Sequence, residues 1–263
     1  NLTPILKNPF LALTTQSYGH QKSSSTRYQC LKYSIKTTTI PTTILRPTSM
    51  TQPLVIRQLG RQPYQTTWEA MKTFTEQRHS DTPDELWLLE HDPVFTQGLA
   101  GKPEHILQSS EIPIVQTDRG GQVTYHGPGQ LMLYTLFDIK RMGIGPRRLV
   151  CQLERSVIDY LNTHGVNAQG DPQAPGVYVN TAKIASIGLR IRRGCSYHGL
   201  ALNVSLDTTP FQSINPCGFK GLAITQIAEY TASATVNEVQ QAIIPHILNN
   251  FGYSEQHTVM PTD

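Results

Sequence analysis

The chain has 263 residues, 38% of them hydrophobic, which is enough for one large domain or two small ones with a substantial core. Its net charge of +3 is uneven, because residues 1–50 carry six Lys or Arg and no Asp or Glu, leaving 16 basic and 19 acidic residues in the other 213. This mildly acidic body argues against nucleic-acid binding, and the lack of an apolar run of about 18 residues argues against a membrane-spanning helix.

Residues 1–50 differ in composition from the rest of the chain. They are rich in Ser and Thr, and Met50 stands directly before the first regular pattern. One interpretation is a non-native leader with Met50 as the functional start. The other is an organellar transit peptide, which would also be basic and poor in acidic residues. Either way we expect a disordered leader, a globular domain over 51–255 and a short tail over 256–263.

The four cysteines bear on compartment and on metal binding. Cys30, Cys151, Cys195 and Cys217 are too few for a disulfide scaffold and favour a reducing compartment. They show no spacing typical of a metal site, so we expect no metal. We predict a cytoplasmic protein, or an organellar one if residues 1–50 are a transit peptide.

The first half of the body predicts one helix among several strands. Leu54–Leu59 is a predicted strand, and a helix with an apolar face follows Pro63. Further strands are predicted at Glu85–His91, Ile112–Gln116 and Leu131–Ile139, with a loop over Pro93–Lys102.

The second half predicts two helices and three strands. A helix begins at Pro146, and Gly165 is its candidate C-terminal cap. Strands follow at Gly176–Asn180, Lys183–Ile191 and Ser196–Val204, then a tight loop at Asn215–Gly218. The last helix runs from Thr235 to Phe251, and its Pro245 predicts a kink or an early start. About eight strands with few helices predict one α+β domain around a mixed or antiparallel sheet flanked by helices.

A glycine-rich stretch, Arg119–Gln130, is the most unusual part of the sequence. It holds four glycines, a proline, an arginine and a histidine in twelve positions. Glycine lets the main chain approach a ligand closely. We therefore expect a pocket wall from which Arg119, Tyr125 and His126 project, with His198 lining the same pocket.

Cys217 and Lys183 are the candidate reactive residues. Cys217 sits at the tip of a predicted turn, which would display its thiol. Cys151 is interpreted as helix packing, whereas Cys195 follows arginines that could lower its pKa, so it stays open as an alternative nucleophile. Alternation along the strand places Lys183 on an apolar face with Ala185, Ile187, Leu189 and Ile191. A lysine there needs a partner or a task, unless it reaches water at the strand end.

Basic side chains cluster in two segments of the otherwise acidic body. They form either a solvated face or a docking surface for an acidic protein partner. The residues are Lys140, Arg141, Arg147, Arg148, Arg190, Arg192 and Arg193.

Five segments in order resemble the lipoyl(octanoyl) transferase family. The resemblance covers roughly Leu54 to Phe251. Its segments are Arg119–Gln130, Ala174–Val179, Lys183–Arg190, His198–Asn203 and Asn215–Gly218.

The resemblance implies a fold, a reaction and site residues. The fold is that of lipoate ligases and of the catalytic domain of biotin protein ligases. The reaction moves an octanoyl group from acyl carrier protein to a specific lysine of lipoyl domains, in 2-oxoacid dehydrogenases and the glycine cleavage H protein, without a cofactor. Cys217 matches the nucleophile that forms an acyl thioester. Lys183 matches the lysine that favours its thiolate and serves in acid/base steps. Substrate binding falls to Arg119, Gly120, Gly121, Gln122, Val123, Thr124, Tyr125, His126, Ser186, Ile187, Gly188, Gly199, Leu200 and Ala201.

Three alternatives stay open. An ATP-dependent lipoate ligase would share the scaffold but need no nucleophilic cysteine, so Cys217 argues against it. A cysteine-dependent amidotransferase that moves acyl groups between lipoyl proteins places its cysteine elsewhere in the motif order. A non-catalytic acyl- or carrier-binding module would form no covalent adduct.

Overall fold

A computed structural model describes residues 53–231, 234–254 and 256–259. The leader expected over 1–50 lies outside these residues. The described chain contains three α-helices: α1 (Tyr64–Gln77), α2 (Pro146–Thr163) and α3 (Val236–Phe251). None of the helices in the described ranges is long and apolar enough to cross a membrane.

Eight strands form one large mixed sheet, which confirms the expected α+β fold class. The strands of this sheet are β1 (Leu54–Gln62), β2 (Glu85–His91), β6 (Gln130–Leu136), β7 (Ala168–Gly170), β8 (Gly176–Val179), β9 (Ala182–Arg192), β10 (Cys195–Asn203) and β11 (Gln256–Val259). Their order in the sheet is β11-β1-β2-β6-β10-β9-β8-β7, and only the β11–β1 and β1–β2 pairs are parallel.

A second, three-stranded sheet corrects the loop predicted over Pro93–Lys102. β3 (Val94–Gln97) pairs parallel with β4 (Ile114–Gln116) and antiparallel with β5 (Val123–His126). β3 lies within the predicted loop, and β5 is part of the glycine-rich stretch. Such short strands depend on pairing with partners distant in sequence, so the local pattern does not reveal them.

The described part of the tail expected at 256–263 forms a strand. β11 pairs with Leu54–Arg57 and adds an edge strand to the large sheet.

The last helix begins where the sequence predicts. Thr235 and Glu238 form a capping box that begins α3 at Val236. The helix therefore has no early start at Pro245 and runs through it to Phe251.

The large sheet is covered on both faces. Its main core packs against α2 and α3, and a smaller apolar cluster on the opposite face packs against α1. The small sheet holds a third cluster with Phe211 and Ile214 from the segment that precedes Cys217. This arrangement brings the segments after β10 next to the glycine-rich stretch.

A bulge in β9 changes which way Lys183 faces. Ala185 pairs with Val177, but Lys183 pairs with Tyr178, so Ile184 is the extra residue. Ser186 pairs with Gly176, two positions before Tyr178, which places Lys183 and Ser186 on the same face. The strict alternation that put Lys183 with Ala185 and Ile187 is therefore wrong.

A buried histidine ties three strands of the large sheet together. His91 is fully buried on β2 and donates from Nδ1 to the carbonyl of Gln62 at 2.8 Å. Its Nε2 lies 2.7 Å from the hydroxyl of Tyr134 on β6 and accepts that proton. Burial lowers the pKa of His91 from 6.5 to about 4.

This histidine predicts a loss of stability in acid. As the pH falls, the unfolded chain takes up a proton near pH 6.5 whereas folded His91 resists it until about 4. Stability is thus present above pH 6.5 and lost towards pH 4, by roughly 3 kcal/mol for this group. Urea unfolding across this range should show a smaller loss in His91→Gln than in the wild type. Equal losses in the two proteins, with the exposed His79→Gln as control, would contradict this role.

Candidate active site

A cavity of about 370 Å³ lies between the large sheet and the small one. Its walls come from β6, β9 and β10 on one side and from Arg119–Gly121 and β5 on the other. The volume falls in the range typical of small-ligand sites. Predicted residues that line it are Arg119, Gly120, Gly121, Gln122, Val123, Thr124, His126, Lys183, Ser186, Ile187, Gly188, His198, Gly199, Leu200, Ala201 and Cys217.

Tyr125 is the one residue of the expected binding set outside this wall. It lies on the other face of β5 from Thr124 and His126, with its ring 5.6 Å from Phe95 and 5.5 Å from Phe211. Successive side chains of a strand point to opposite faces, so Tyr125 points away from the cavity that Thr124 and His126 line. Tyr125 is a core residue of the small sheet.

Lys183 and Cys217 meet inside the cavity. The Lys183 Nζ donates to Cys217 Sγ at 3.2 Å and to the carbonyl of Pro175 at 3.1 Å, and it lies 5.2 Å from the ring of Tyr178. Burial alone would lower the pKa of Lys183, but the Cys217 thiolate and Tyr178 more than offset it and leave that pKa raised. Lys183 is therefore an ammonium at rest. The sequence alone does not show this, because burial and a neighbouring charge shift the pKa of Lys183 in opposite directions.

The backbone presents Cys217 on a strained turn. Cys217 has φ +56° and Gly218 follows with φ +80°. A non-glycine residue in the left-handed region costs about 1–3 kcal/mol and persists only where its surroundings enforce it. Here Asn215 N donates to the His105 carbonyl at 2.8 Å, and Gly218 N donates to the Asn215 carbonyl at 2.9 Å. The turn holds the half-buried thiol towards Lys183.

Glu154 acts on Lys183 through its charge and was not predicted from the sequence. This buried carboxylate on α2 accepts from the amide of Gly176 at 3.0 Å, and the charge of Lys183 also acts on it. Gly176 has φ +144°, and a Cβ there would lie 2.7 Å from Lys183 Cε, so only glycine leaves the lysine its path. A charged residue in the apolar stripe of α2, between Leu153 and Val157, was the available signal.

Neither Cys151 nor Cys195, the other two cysteines in the described ranges, lines the cavity. Cys195 is buried at the far end of β10, where burial and the neighbouring Asp138 raise the pKa of its thiol. This direction is opposite to the one suggested by the preceding arginines. Two of those arginines contact Glu76 on α1. Arg192 forms an ion pair with its carboxylate at 2.7 Å, and Arg193 donates to its backbone carbonyl at 2.6 Å. Cys151 lies in α2, as expected.

A buried chain of hydrogen bonds begins at Arg119. Arg119 donates to Thr96, whose Oγ1 lies 3.1 Å from His126 Nε2. His126 Nδ1 lies 2.7 Å from Gln130 Oε1, and Gln130 in turn donates to Asn203 at 2.9 Å. Burial lowers the pKa of His126, so the ring is neutral and relays these contacts.

The chain of contacts ends at the strand that carries Lys183. Asn203 Nδ2 donates to the Thr225 carbonyl at 2.9 Å, and Thr225 N donates to the Lys183 carbonyl at 3.0 Å. The amide of Lys183 donates to Ala223 at 2.8 Å. Hydrogen bonds thus connect the glycine-rich wall with the backbone that places the lysine.

Positive charge prevails in the cavity. Arg119 and Lys183 are its cationic residues, and no Asp or Glu of the described chain lines it. Arg119 is buried and donates to neutral oxygens of Thr96 and Gly120. Such a site favours a thiolate and any oxyanion formed beside it. Within the described ranges, no group of three His, Cys, Asp or Glu could hold a metal ion.

The cavity's residues fall within a match to a known domain family. Residues 63–248 match the lipoyl protein ligase A/B catalytic domain. An octanoyltransferase of Coxiella burnetii (strain Dugway 5J108-111) is 58% identical over 210 residues, covering 80% of this chain and 87% of that protein. An octanoyltransferase of Chromobacterium violaceum is 54% identical over 204 residues, covering 78% of this chain and 99% of that protein.

Solved structures agree on the fold. A putative lipoate protein ligase from T. acidophilum, protein Ta0514, superposes with a TM-score of 0.65 at 15% identity and covers 81% of this chain and 90% of that one. Lipoate-protein ligase A bound with ATP gives a TM-score of 0.63 at 13% identity, with the same coverage. The expected lipoate-ligase-like fold is confirmed, and the chain belongs to the octanoyltransferase family of acyltransferases, within the lipoyl protein ligase A/B catalytic domains.

Proposed function

We propose that this chain transfers an octanoyl group from octanoyl-acyl carrier protein to a lysine of a lipoyl domain, through a thioester on Cys217. The observation that carries the proposal is the 3.2 Å contact between the Lys183 ammonium and Cys217 Sγ in a cavity of small-ligand size. The names of the relatives support the acyl group and the reaction class.

In the first step the Cys217 thiolate attacks the carbonyl carbon of the donor thioester. The donor's carbon–sulfur bond breaks, a new one forms to Sγ, and the departing carrier thiolate takes a proton from Lys183. One thioester replaces another, so little free energy changes and no ATP is needed. Lys183 is left as a neutral amine.

In the second step the amine of the acceptor lysine attacks the Cys217 thioester. Its carbon–nitrogen bond forms, the bond to Sγ breaks, and the Lys183 amine accepts the proton released by the attacking nitrogen. The thiolate and the ammonium are restored, and the product is an amide. One lysine thus gives a proton in the first step and recovers it in the second.

The walls suit an acyl chain. Met132, Ile187, Leu189 and Leu200 supply apolar surface along the cavity. Burying the methylene groups of an octanoyl chain at about 0.8 kcal/mol each is worth roughly 5 kcal/mol. Gly188 allows the close approach of the opposite wall, since a Cβ there would lie 3.1 Å from the Gly120 carbonyl. The two walls of the cavity therefore approach each other closely at Gly188.

The partners follow from this reaction. The donor we propose is octanoyl-acyl carrier protein, and the acceptors are lipoyl domains of 2-oxoacid dehydrogenases and the glycine cleavage H protein. Phe219 is 50% exposed and lines the cavity beside Cys217, which places an apolar contact where carriers would arrive. A cytoplasmic location and docking on the basic surface stay predictions.

Incubation with octanoyl-acyl carrier protein should add one octanoyl group to the enzyme. Intact-protein mass spectrometry would detect it, and peptide mapping should place it on Cys217. Cys195→Ala, the matched cysteine control, should still be acylated, and Cys217→Ala should not. An adduct on Cys195, or one that persists in Cys217→Ala, would rule out the assignment.

Replacing Lys183 by Met should slow single-turnover acylation by about a hundredfold or more, because the thiolate loses its counter-ion and the leaving group its proton donor. Rapid-quench mass spectrometry would measure the rate. Lys102→Met, at an exposed lysine outside the basic segments, should leave the rate unchanged. If Lys183→Met acylates at the wild-type rate while its circular dichroism is native, Lys183 has no such role.

A further inference from the structure

The end of the cavity away from Cys217 carries a buried histidine. His198 on β10 lines it and is 1% exposed. Its ring packs near Tyr134 and Trp68, with centroids 6.3 and 6.5 Å apart. An apolar acyl chain offers no hydrogen-bond partner to an imidazole, so packing of the chain does not explain a histidine at this place.

Strand register gives the distance between the two ends. A Cβ on Gly176 would lie 3.2 Å from Lys183 Nζ, and Gly176 pairs with Ser186, so the ammonium lies level with Ser186. His198 pairs with Leu189, three residues further along β9, which is roughly 10 Å at the usual rise of a strand. A medium-length acyl chain on Cys217 would therefore end near His198.

The ring of His198 is held in one orientation. Its Nε2 lies 3.0 Å from Asp118 Oδ1, and Asp118 also accepts from Trp68 Nε1 at 2.8 Å and from the Tyr197 hydroxyl. The backbone of His198 has φ +59°, a strained conformation inside a strand. Three donors around one carboxylate and an enforced backbone fix the imidazole against the cavity.

The other ring nitrogen has no partner. Burial would raise the pKa of Asp118, but the hydrogen bonds from His198 and Tyr197 hold it well below its usual range, so Asp118 is ionised. Burial also lowers the pKa of His198, so its ring is neutral and its proton lies on Nε2. Nδ1 is then a bare acceptor, and it is buried without a hydrogen bond in the described chain.

We propose that His198 sets the upper limit of acyl-chain length by holding a water molecule on Nδ1 at the end of the cavity away from Cys217. This rests on the proposed octanoyl transfer. A chain that ends short of the water leaves its hydrogen bond intact. A longer chain displaces the water and leaves a buried acceptor unpaired, which costs more than the extra methylene groups gain.

Two substitutions separate polarity from size. Leu has nearly the volume of His but no acceptor, so His198→Leu should raise the decanoyl-to-octanoyl ratio of kcat/KM about tenfold. Asn is smaller, keeps an acceptor and tolerates positive φ, so His198→Asn should leave the ratio within about threefold. Tyr253→Phe, which loses a tyrosine bond to a different carboxylate, Asp84, and does not line the cavity, should leave the ratio unchanged.

The wild-type enzyme supplies a test that does not depend on a variant folding. A 9-hydroxynonanoyl thioester has as many heavy atoms along its chain as decanoyl, and its hydroxyl can replace the water on Nδ1. On a polar end it should be used at least as well as decanoyl. On an apolar end the desolvated hydroxyl would make it much the poorer substrate.

The outcomes are distinct. If wild type transfers octanoyl but His198→Leu leaves the ratio unchanged, if His198→Asn raises it as size alone would, or if decanoyl is much preferred over 9-hydroxynonanoyl, then His198 does not set the limit through polarity. If wild type transfers no octanoyl group at all, the proposed function fails first.

Discussion

A lysine ammonium and a cysteine sulfur lie 3.2 Å apart in this protein, and the surrounding structure holds them there. A buried lysine alone would tend to lose its charge, because desolvation penalises an isolated ion. The contact with Cys217 offsets that cost for Lys183. The raised pKa of Lys183 reflects this, since burial by itself would have lowered it.

Several elements converge to keep the pair in place. The bulge at Ile184 turns Lys183 into the cavity, Gly176 leaves room for its side chain, and Glu154 lies behind it. The strained turn at Cys217 presents the sulfur from the other side. These features are distant in sequence, and the order of strands in the large sheet brings them together.

Local patterns were sufficient to predict most of the regular structure. The helices after Pro63, at Pro146 and after Thr235 each have a sequence signal at the start and an apolar face. Of the small sheet only β4 was predicted, whereas β3, β5 and β11 were not, because they are short and gain stability only from pairing.

The site shows the same division. The glycine-rich stretch, Lys183 and Cys217 stand out by composition and position, and they do line one cavity. The direction in which each side chain points does not follow from composition. One inserted residue in β9 reverses the face of Lys183, and the alternation of β5 removes Tyr125 from the wall. Buried supports such as Glu154 and Asp118 show their meaning only through partners on other elements.

The two ends of the cavity therefore have different tasks in this account. The end at Cys217 and Lys183 makes and breaks bonds, whereas the end at His198 and Asp118 measures the chain. Hydrogen bonds that start in the glycine-rich wall, at His126 and Gln130, support the Lys183 end through Asn203 and Thr225. In this arrangement chemistry and chain-length selection can change independently.

The most direct test of the central claim is a crystal structure of the octanoylated enzyme. We predict continuous electron density from Cys217 Sγ, with Lys183 Nζ within hydrogen-bonding distance of the sulfur or the carbonyl oxygen. The chain should run past Ser186–Gly188 and end beside His198. A chain attached to another residue, or one that leaves the cavity for the protein surface, would contradict it.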